Sequence, residues 1–272
     1  NVIIGAHAGY SLAGQGNIGN SIMIGSHAGE YTTSGIKNIF IGSNAANQNT
    51  VGSQNIIIGA EAVSSGNCSN VISIGYQTGS GNAADDNIFI GTLAGASNTT
   101  GNGNIMIGSE AGFANTTGKN KINIGFQAGY NNNNEDNIAI GPFAAYNSTT
   151  SLAGIAIGTE AGYNVNGNYN VFIGPESGKG HTGANGGNNI AMGYLSLHSL
   201  ESGSGNMAMG QTALYSLTNG LNNIAVGSGA GQFNDGNNNI CLGNSTGINT
   251  TNNSINIGTY AGQYCNTDEN IH

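Results

Sequence analysis

The chain of 272 residues has no Trp, 2 Pro, 3 Cys and 4 Lys+Arg, and only 6% of its residues are charged. Each shortage excludes something. A phosphate-binding surface needs clustered cations, and Lys37, Lys119, Lys121 and Lys179 are too few and too scattered to supply one. Nucleic acid is therefore not an expected partner. The same scarcity, with a net charge of −9, argues against adhesion to an anionic membrane surface. No run of 18 apolar residues exists, so this segment is not expected to insert into a membrane as a helix. Cys68, Cys241 and Cys265 form no CxxC pair and are odd in number, which excludes a fully paired disulfide framework. The low charge and 48 Gly would suit a disordered chain, but disorder does not place isoleucines at regular intervals.

What is present is a five-residue phrase, Asn-Ile-x-Ile-Gly, that returns sixteen times in recognisable form. Its closing glycines are Gly5, Gly25, Gly42, Gly59, Gly75, Gly91, Gly108, Gly125, Gly141, Gly158, Gly174, Gly193, Gly210, Gly227, Gly243 and Gly258, spaced 15 to 20 residues apart. A period this short means stacked rungs and not one globular core. The fold class expected is all-β, a parallel β-solenoid of about sixteen rungs with a repeat of 16–17 residues. Residues 1–272 read as a single array. It starts inside one motif and stops where another would begin, as expected of a segment of a longer fibre.

Three residues and one residue before each glycine, the chain is apolar in every rung, from Val2 and Ile4 to Ile255 and Ile257. Alternation with period two marks a strand with one buried face, and these two rows are expected to form ladders along a narrow core. Three residues after the glycine comes a small side chain, such as Ala28, Ala111 or Ser177, expected where the rung closes on itself. Asn-rich stretches such as Asn98-Thr99-Thr100-Gly101 read as corners. Asn opens the phrase in eleven rungs, where stacked amides can hydrogen-bond along a ladder.

The middle strand position then points away from that core. It is often large and apolar: Ile3, Met23, Phe40, Ile57, Phe89, Met106 and Phe172. An exposed apolar stripe is avoided by soluble monomers, so these seven residues are the expected oligomer interface of a cyclic homo-oligomer, most simply a homotrimer.

At these residues the chain resembles two repeat classes. The phrase from Asn137 to Ala144 resembles the head repeats of trimeric autotransporter adhesins, the YadA-like heads. The longer unit from Asn104 to Gly118 is similar to repeats of phage or large-virus tail-fibre proteins. The resemblance implies a left-handed roll, trimeric assembly and an extracellular location on a bacterial surface or virion. The rungs here are longer than the adhesin heads usually have, and no neck, coiled-coil stalk or membrane barrel is present in this sequence.

Candidate chemistry is sparse. Asp85-Asp86, Glu135-Asp136 and Asp235 offer loop carboxylates for calcium, without an EF-hand pattern. His7 and His27 occupy equivalent places in adjacent rungs, about 5 Å apart, with Asn44 and Glu61 next in the row. Glu160 and Glu176 fall on adjacent rungs at about the separation of a retaining glycosidase pair, a spacing generic to any repeated Glu. Tyr10, Tyr31, Phe113, Tyr130, Tyr146 and Tyr163 either stack on sugars or staple the corners. Asn98, Asn115 and Asn147 begin N-glycosylation sequons. The Gly-rich stretch 178–187 has no phosphate-loop pattern. No catalytic, metal or cofactor residue is assigned, and no cofactor is expected. The leading expectation is a non-catalytic rod or head of an extracellular fibre, meeting a host-surface receptor or glycan. The alternatives are a monomeric glycan- or ice-binding solenoid and a glycan-degrading fibre enzyme.

Overall fold

A computed structural model describes residues 1–12, 19–150, 153–249, 251–263 and 271; Cys265 lies outside the described residues. The protein is an all-β parallel solenoid with sixteen three-residue strands among the described residues. It divides into two compact units, Asn1–Asp136 and Asn137–His272. The first unit carries β1 (Val2–Ile4), β2 (Ile22–Ile24), β3 (Ile39–Ile41), β4 (Ile56–Ile58), β5 (Ile72–Ile74), β6 (Ile88–Ile90), β7 (Ile105–Ile107) and β8 (Ile122–Ile124). The second carries β9 (Ile138–Ile140), β10 (Ile155–Ile157), β11 (Val171–Ile173), β12 (Ile190–Met192), β13 (Met207–Met209), β14 (Ile224–Val226), β15 (Ile240–Leu242) and β16 (Ile255–Ile257). Every strand is the centre of one repeat. Within each unit consecutive strands pair in parallel and in register, as in Phe89↔Met106 and Ala191↔Ala208.

The rung around Gly108 shows how backbone groups are satisfied. Gly108 N donates to Ile90 O (2.7 Å) and Glu110 N to Thr92 O (2.8 Å), both in the preceding rung. Ile105 N donates to Lys121 O (2.8 Å) and Gly112 N to Ala128 O (2.9 Å), both in the next. The ladder thus continues through the corners, where the chain is not a strand, and few backbone groups depend on water. Gly108 itself has φ +131°, and a Cβ there would lie 2.4 Å from Gly125 O. The closing glycine is required both by conformation and by the approach of the next rung.

Beyond the glycine, three turns follow one another. Ala111 N donates to Gly108 O, Phe113 N to Glu110 O and Asn115 N to Gly112 O. The third residue of the first two turns has positive φ, Glu110 at 58° and Gly112 at 59°, as a type II turn requires. Glu110 belongs to a row that includes His27, Leu93 and Phe143, all at φ 57–58°. Leu93 and Phe143 are poor residues for a left-handed conformation, and inter-rung bonding of the kind described above holds the row there.

The sequence expectation is corrected at the strands. Their typical burial is intermediate–buried–intermediate, so the middle residue faces inward and the flanking isoleucines face outward. Met23, Phe40, Ile57, Phe89 and Met106 are fully buried and Phe172 is 3% exposed. Ile3, in the first strand, is 44% exposed. Six of the seven residues expected at an oligomer interface are therefore core residues of single rungs. Alternation establishes two faces and leaves open which one is inside; an error of one residue exchanges them.

The small row after the glycine is buried as expected: Ala28, Ala45, Ala62, Ala94, Ala111 and Ala128 are fully enclosed. Opposite the middle side chain, the fourth residue after the glycine completes the interior. Around Phe89 and Phe172 that place is glycine: Cβ atoms on Gly79 and Gly95 would come within 2.6 and 2.5 Å of the Phe89 ring, and one on Gly178 within 2.3 Å of the Phe172 ring, whereas Ala46 and Val63 stand opposite Phe40 and Ile57.

Candidate functional site

From Asn38 onward the strand-opening asparagines are buried and bonded along the rungs. Asn104 N donates to Asn87 Oδ1 (2.9 Å), while Asn87 Nδ2 donates to Gly101 O (2.9 Å). Asn206 and Asn189 repeat the arrangement in the second unit. Each amide satisfies one N–H and one C=O of the next rung. These side chains are structural partners of the backbone and are not presented to a ligand.

A second buried amide row, seven residues after the glycine, contains Asn49, Asn82, Asn98, Asn115 and Asn132. Its residues include the first asparagines of two sequons. Asn98 Nδ2 donates to Asn82 Oδ1 (2.7 Å) and Gly101 O (2.8 Å), and Asn115 Nδ2 to Asn98 Oδ1 (2.9 Å) and Gly118 O (3.1 Å). Neither nitrogen is available for glycosylation in the folded chain. Asn147, half-buried, donates to Asn164 Oδ1 at 3.0 Å.

The loop acids also serve the rungs. Asp85 accepts from Ser69 N (2.7 Å), Asp86 from Asn70 Nδ2 (3.0 Å) and Asp136 from Asn120 Nδ2 (3.1 Å). Asp235 Oδ1 accepts from Thr218 N (2.7 Å) and Asn219 N (2.9 Å). Burial works to raise the Asp235 carboxyl, and the hydrogen bonds from Thr218 and Asn219 outweigh it, so its pKa is lowered. Asp85, Asp86, Asp136 and Asp235 thus accept hydrogen bonds from the preceding rung.

His7 and His27 stack with ring centroids 5.0 Å apart and planes 6° from parallel. His27 Nδ1 lies 2.9 Å from Glu30 Oε2, and ligand atoms of the three residues all lie within 4.8 Å of one another. An ion binds in the plane of an imidazole at about 2.1 Å from nitrogen. Rings 6° from parallel with centroids 5.0 Å apart do not aim their nitrogens at one such point, so the arrangement as it stands is a stack with a His27–Glu30 hydrogen bond. The hydrogen bond to His27 leads the causes that lower the Glu30 pKa.

Glu160 and Glu176 are brought together as their spacing suggested, but Lys179 stands between them, 2.6 Å from Glu160 and 3.0 Å from Glu176. The Lys179 ammonium holds the Glu176 carboxyl below its ordinary range, and the Glu160 carboxylate raises Lys179. A glycosidase acid needs the opposite shift, upward. His198 adjoins the group 3.5 Å from Glu176 and stacks on Tyr215 at 4.9 Å; burial lowers its pKa. The aromatic residues pair in the same way. Phe113 stacks on Tyr130 at 5.1 Å and Tyr146 on Tyr163 at 5.0 Å. Their faces are turned to each other along the array and not outward to a sugar.

The largest feature is the one that sequence reasoning placed one residue out of phase. The outward isoleucines form two parallel rows along the sheet face of each unit. Ile56, Ile74, Met192, Met209, Ile224 and Val226 remain 36–38% exposed, and most others are intermediate. A usable signal was present in the sequence. In several rungs the middle position varies with the residue opposite it, as interior partners do: Phe89 goes with Gly95 and Phe172 with Gly178, while Ala191 and Ala208 go with Leu197 and Leu214. The flanking rows stay uniformly apolar.

No protein-family model matches this chain, and a comparison with curated proteins finds no match. The class that the structure itself defines is a parallel β-solenoid repeat protein. No helix among the described residues is long and apolar enough to cross a membrane.

Proposed function

We propose that this solenoid is a non-catalytic rod or head segment of an extracellular fibre, of the cell-surface adhesin or viral-fibre kind. In this reading it assembles as a homotrimer through the outward isoleucine face. The observation that carries the proposal is that face. Two apolar side chains on each of eight rungs leave one unit with an apolar strip on the order of several hundred Å2. That is in the range of the largest patches, about 300–600 Å2, which on soluble monomers often mark interaction sites, and approaches the ~800 Å2 per partner of a standard interface. The face belongs to a sheet of uniform strands, so a second copy meets it with the same flat, ridged surface, and three copies close around an axis. Continuous backbone bonding between rungs supports a rod-like, load-bearing role. The variable rows on the turn side, with His27, Glu110, Glu160 and Tyr163, are where receptor contacts evolve without disturbing the rungs.

Light scattering after size exclusion tests the assembly. The expected mass is that of three chains. Ile88→Lys with Ile105→Lys reduces it to one chain while the circular dichroism of the sheet is retained. A wild-type mass of one chain overturns the trimer and transfers the isoleucine face to an unlike planar partner, the alternative of a monomeric glycan- or ice-binding solenoid.

A further inference from the structure

The buried amide run Asn82, Asn98, Asn115, Asn132 of the first unit loses its side-chain link at the last step. Asn98 reaches Asn82 and Asn115 reaches Asn98, but the side-chain nitrogen of Asn132 is buried with no hydrogen-bond partner. Lys121 is the cause. It stands at the strand-opening place that Asn38, Asn55, Asn87 and Asn104 hold in other rungs, and it is fully buried. Its Nζ inserts between the two carboxamides, 3.2 Å from Asn115 Oδ1 and 3.1 Å from Asn132 Oδ1, and also donates to Asn132 O. The ammonium thereby takes the acceptor that Asn132 Nδ2 would otherwise use.

Two costs meet at this point. A buried ammonium facing only neutral oxygens lacks the partner that usually compensates it, and no carboxylate is ion-paired with Lys121 among the described residues. An amide nitrogen without an acceptor adds its own desolvation penalty. Burial lowers the Lys121 pKa to about 7, so the free amine is well populated at neutral pH. A desolvated lysine amine is a competent nucleophile. The carbonyl carbon of Asn132 is one bond beyond the oxygen that Nζ already touches.

We propose that Lys121 and Asn132 join in an intramolecular amide cross-link. The Nζ lone pair attacks Cγ of Asn132, the Nζ–Cγ bond forms, and the Cγ–Nδ2 bond breaks. One Nζ proton passes to Nδ2, which leaves as ammonia. Nothing is oxidised or reduced, and no outside reagent is consumed. The product has no buried charge and no orphaned amino group, and its remaining N–H keeps Asn115 Oδ1 as acceptor. The link ties the start of β8 to the corner that closes the same rung. It does not depend on the proposed trimer, since both residues belong to one rung of one chain.

Intact mass spectrometry of the folded chain, held at mildly alkaline pH, tests the link together with peptide mapping. The expected mass is one ammonia below that of the sequence, with a branched peptide joining the Lys121 segment to the Asn132 segment. Lys121→Asn, which restores the residue found in sister rungs and so keeps the fold, retains its full mass. The full sequence mass in folded wild-type protein overturns the proposal. So does an ammonia loss that maps elsewhere, such as a succinimide at Asn102-Gly103, or conversion of Asn132 to a free acid.

Discussion

The two units fill the same rung interior from opposite sides. In Asn1–Asp136 the volume comes from the strands, through Met23, Phe40, Ile57, Phe89 and Met106, and the far corner is lined by Asn49, Asn82, Asn98, Asn115 and Asn132. In Asn137–His272 most middle residues are alanine, at Ala139, Ala156, Ala191, Ala208 and Ala225. There the volume comes largely from the corner, through Val165, Leu197, Leu200, Leu214 and Leu217. In rungs such as those of Phe89 and Ala208 a middle position is large or small according to its opposite number, which keeps the interior filled. The rungs at Ala139 and Ala156 are supplied by neither side, since Ala145 and Gly162 face them. A cavity of about 20 Å3 bordered by Ala145, Ala156, Gly162, Val165 and Phe172 lies there, room for about one water.

The strongest way to break this comparison is to remove volume where nothing opposite replaces it. Phe89→Ala should cost about 3–5 kcal/mol in urea unfolding, because its neighbours Gly79 and Gly95 cannot fill the void. The converse, Ala208→Phe, should destabilise by about 1–3 kcal/mol through overpacking against Leu214, and Leu214→Gly in the same chain should recover most of that loss.

The second contrast concerns charge. An Asn132→Ala chain lacks the carboxamide of the proposed cross-link, so the lysine remains an amine. Its folded pKa is lowered to about 7, against ~10.4 in an unfolded chain. The unfolded state then binds more protons between those values. Stability therefore rises with pH from about 7 to about 10.4, by a few kcal/mol, and is lowest below 7. Urea midpoints measured across that range give the slope. A further Lys121→Asn substitution should flatten it and raise stability at neutral pH.

Asn104→Ala should cost about 1–3 kcal/mol by thermal unfolding, since it strands Lys121 N inside the corner and removes one of the two donors to Gly118 O. The smallest effect expected is a gain. Ala156→Val adds two methyl groups beside the cavity and should stabilise the second unit by up to about 1 kcal/mol. An unchanged or lower midpoint would mean that the cavity is occupied by water that the valine displaces.

Much of this architecture is legible in the residues. All sixteen strands fall on the repeated phrase, and the small row three residues after the glycine is buried in every rung between the first and the last, where closure of the rung demands it. The amide ladders were also expected, although their partners are mainly the backbone of the next rung. The turns were less legible. Leu93 and Phe143 hold positive φ because cooperative inter-rung bonds outweigh a local preference worth about 1–2 kcal/mol per residue. The candidate chemical groups were placed together correctly in sequence terms, as with His7 and His27 or Glu160 and Glu176. Their roles changed because ring orientation and the position of Lys179, which spacing alone does not specify, decide what such groups can do.

The sequence by itself determined the period, the strand positions and the in-register parallel stacking, because a repeated phrase gains most when each residue lies against its own equivalent. Only the tertiary structure decided which side of the strand is the inside. Alternation is symmetric between two faces, and that symmetry is broken by the closing turn, whose alanines, glycines and leucines leave room for the middle residue and none for the isoleucines beside it.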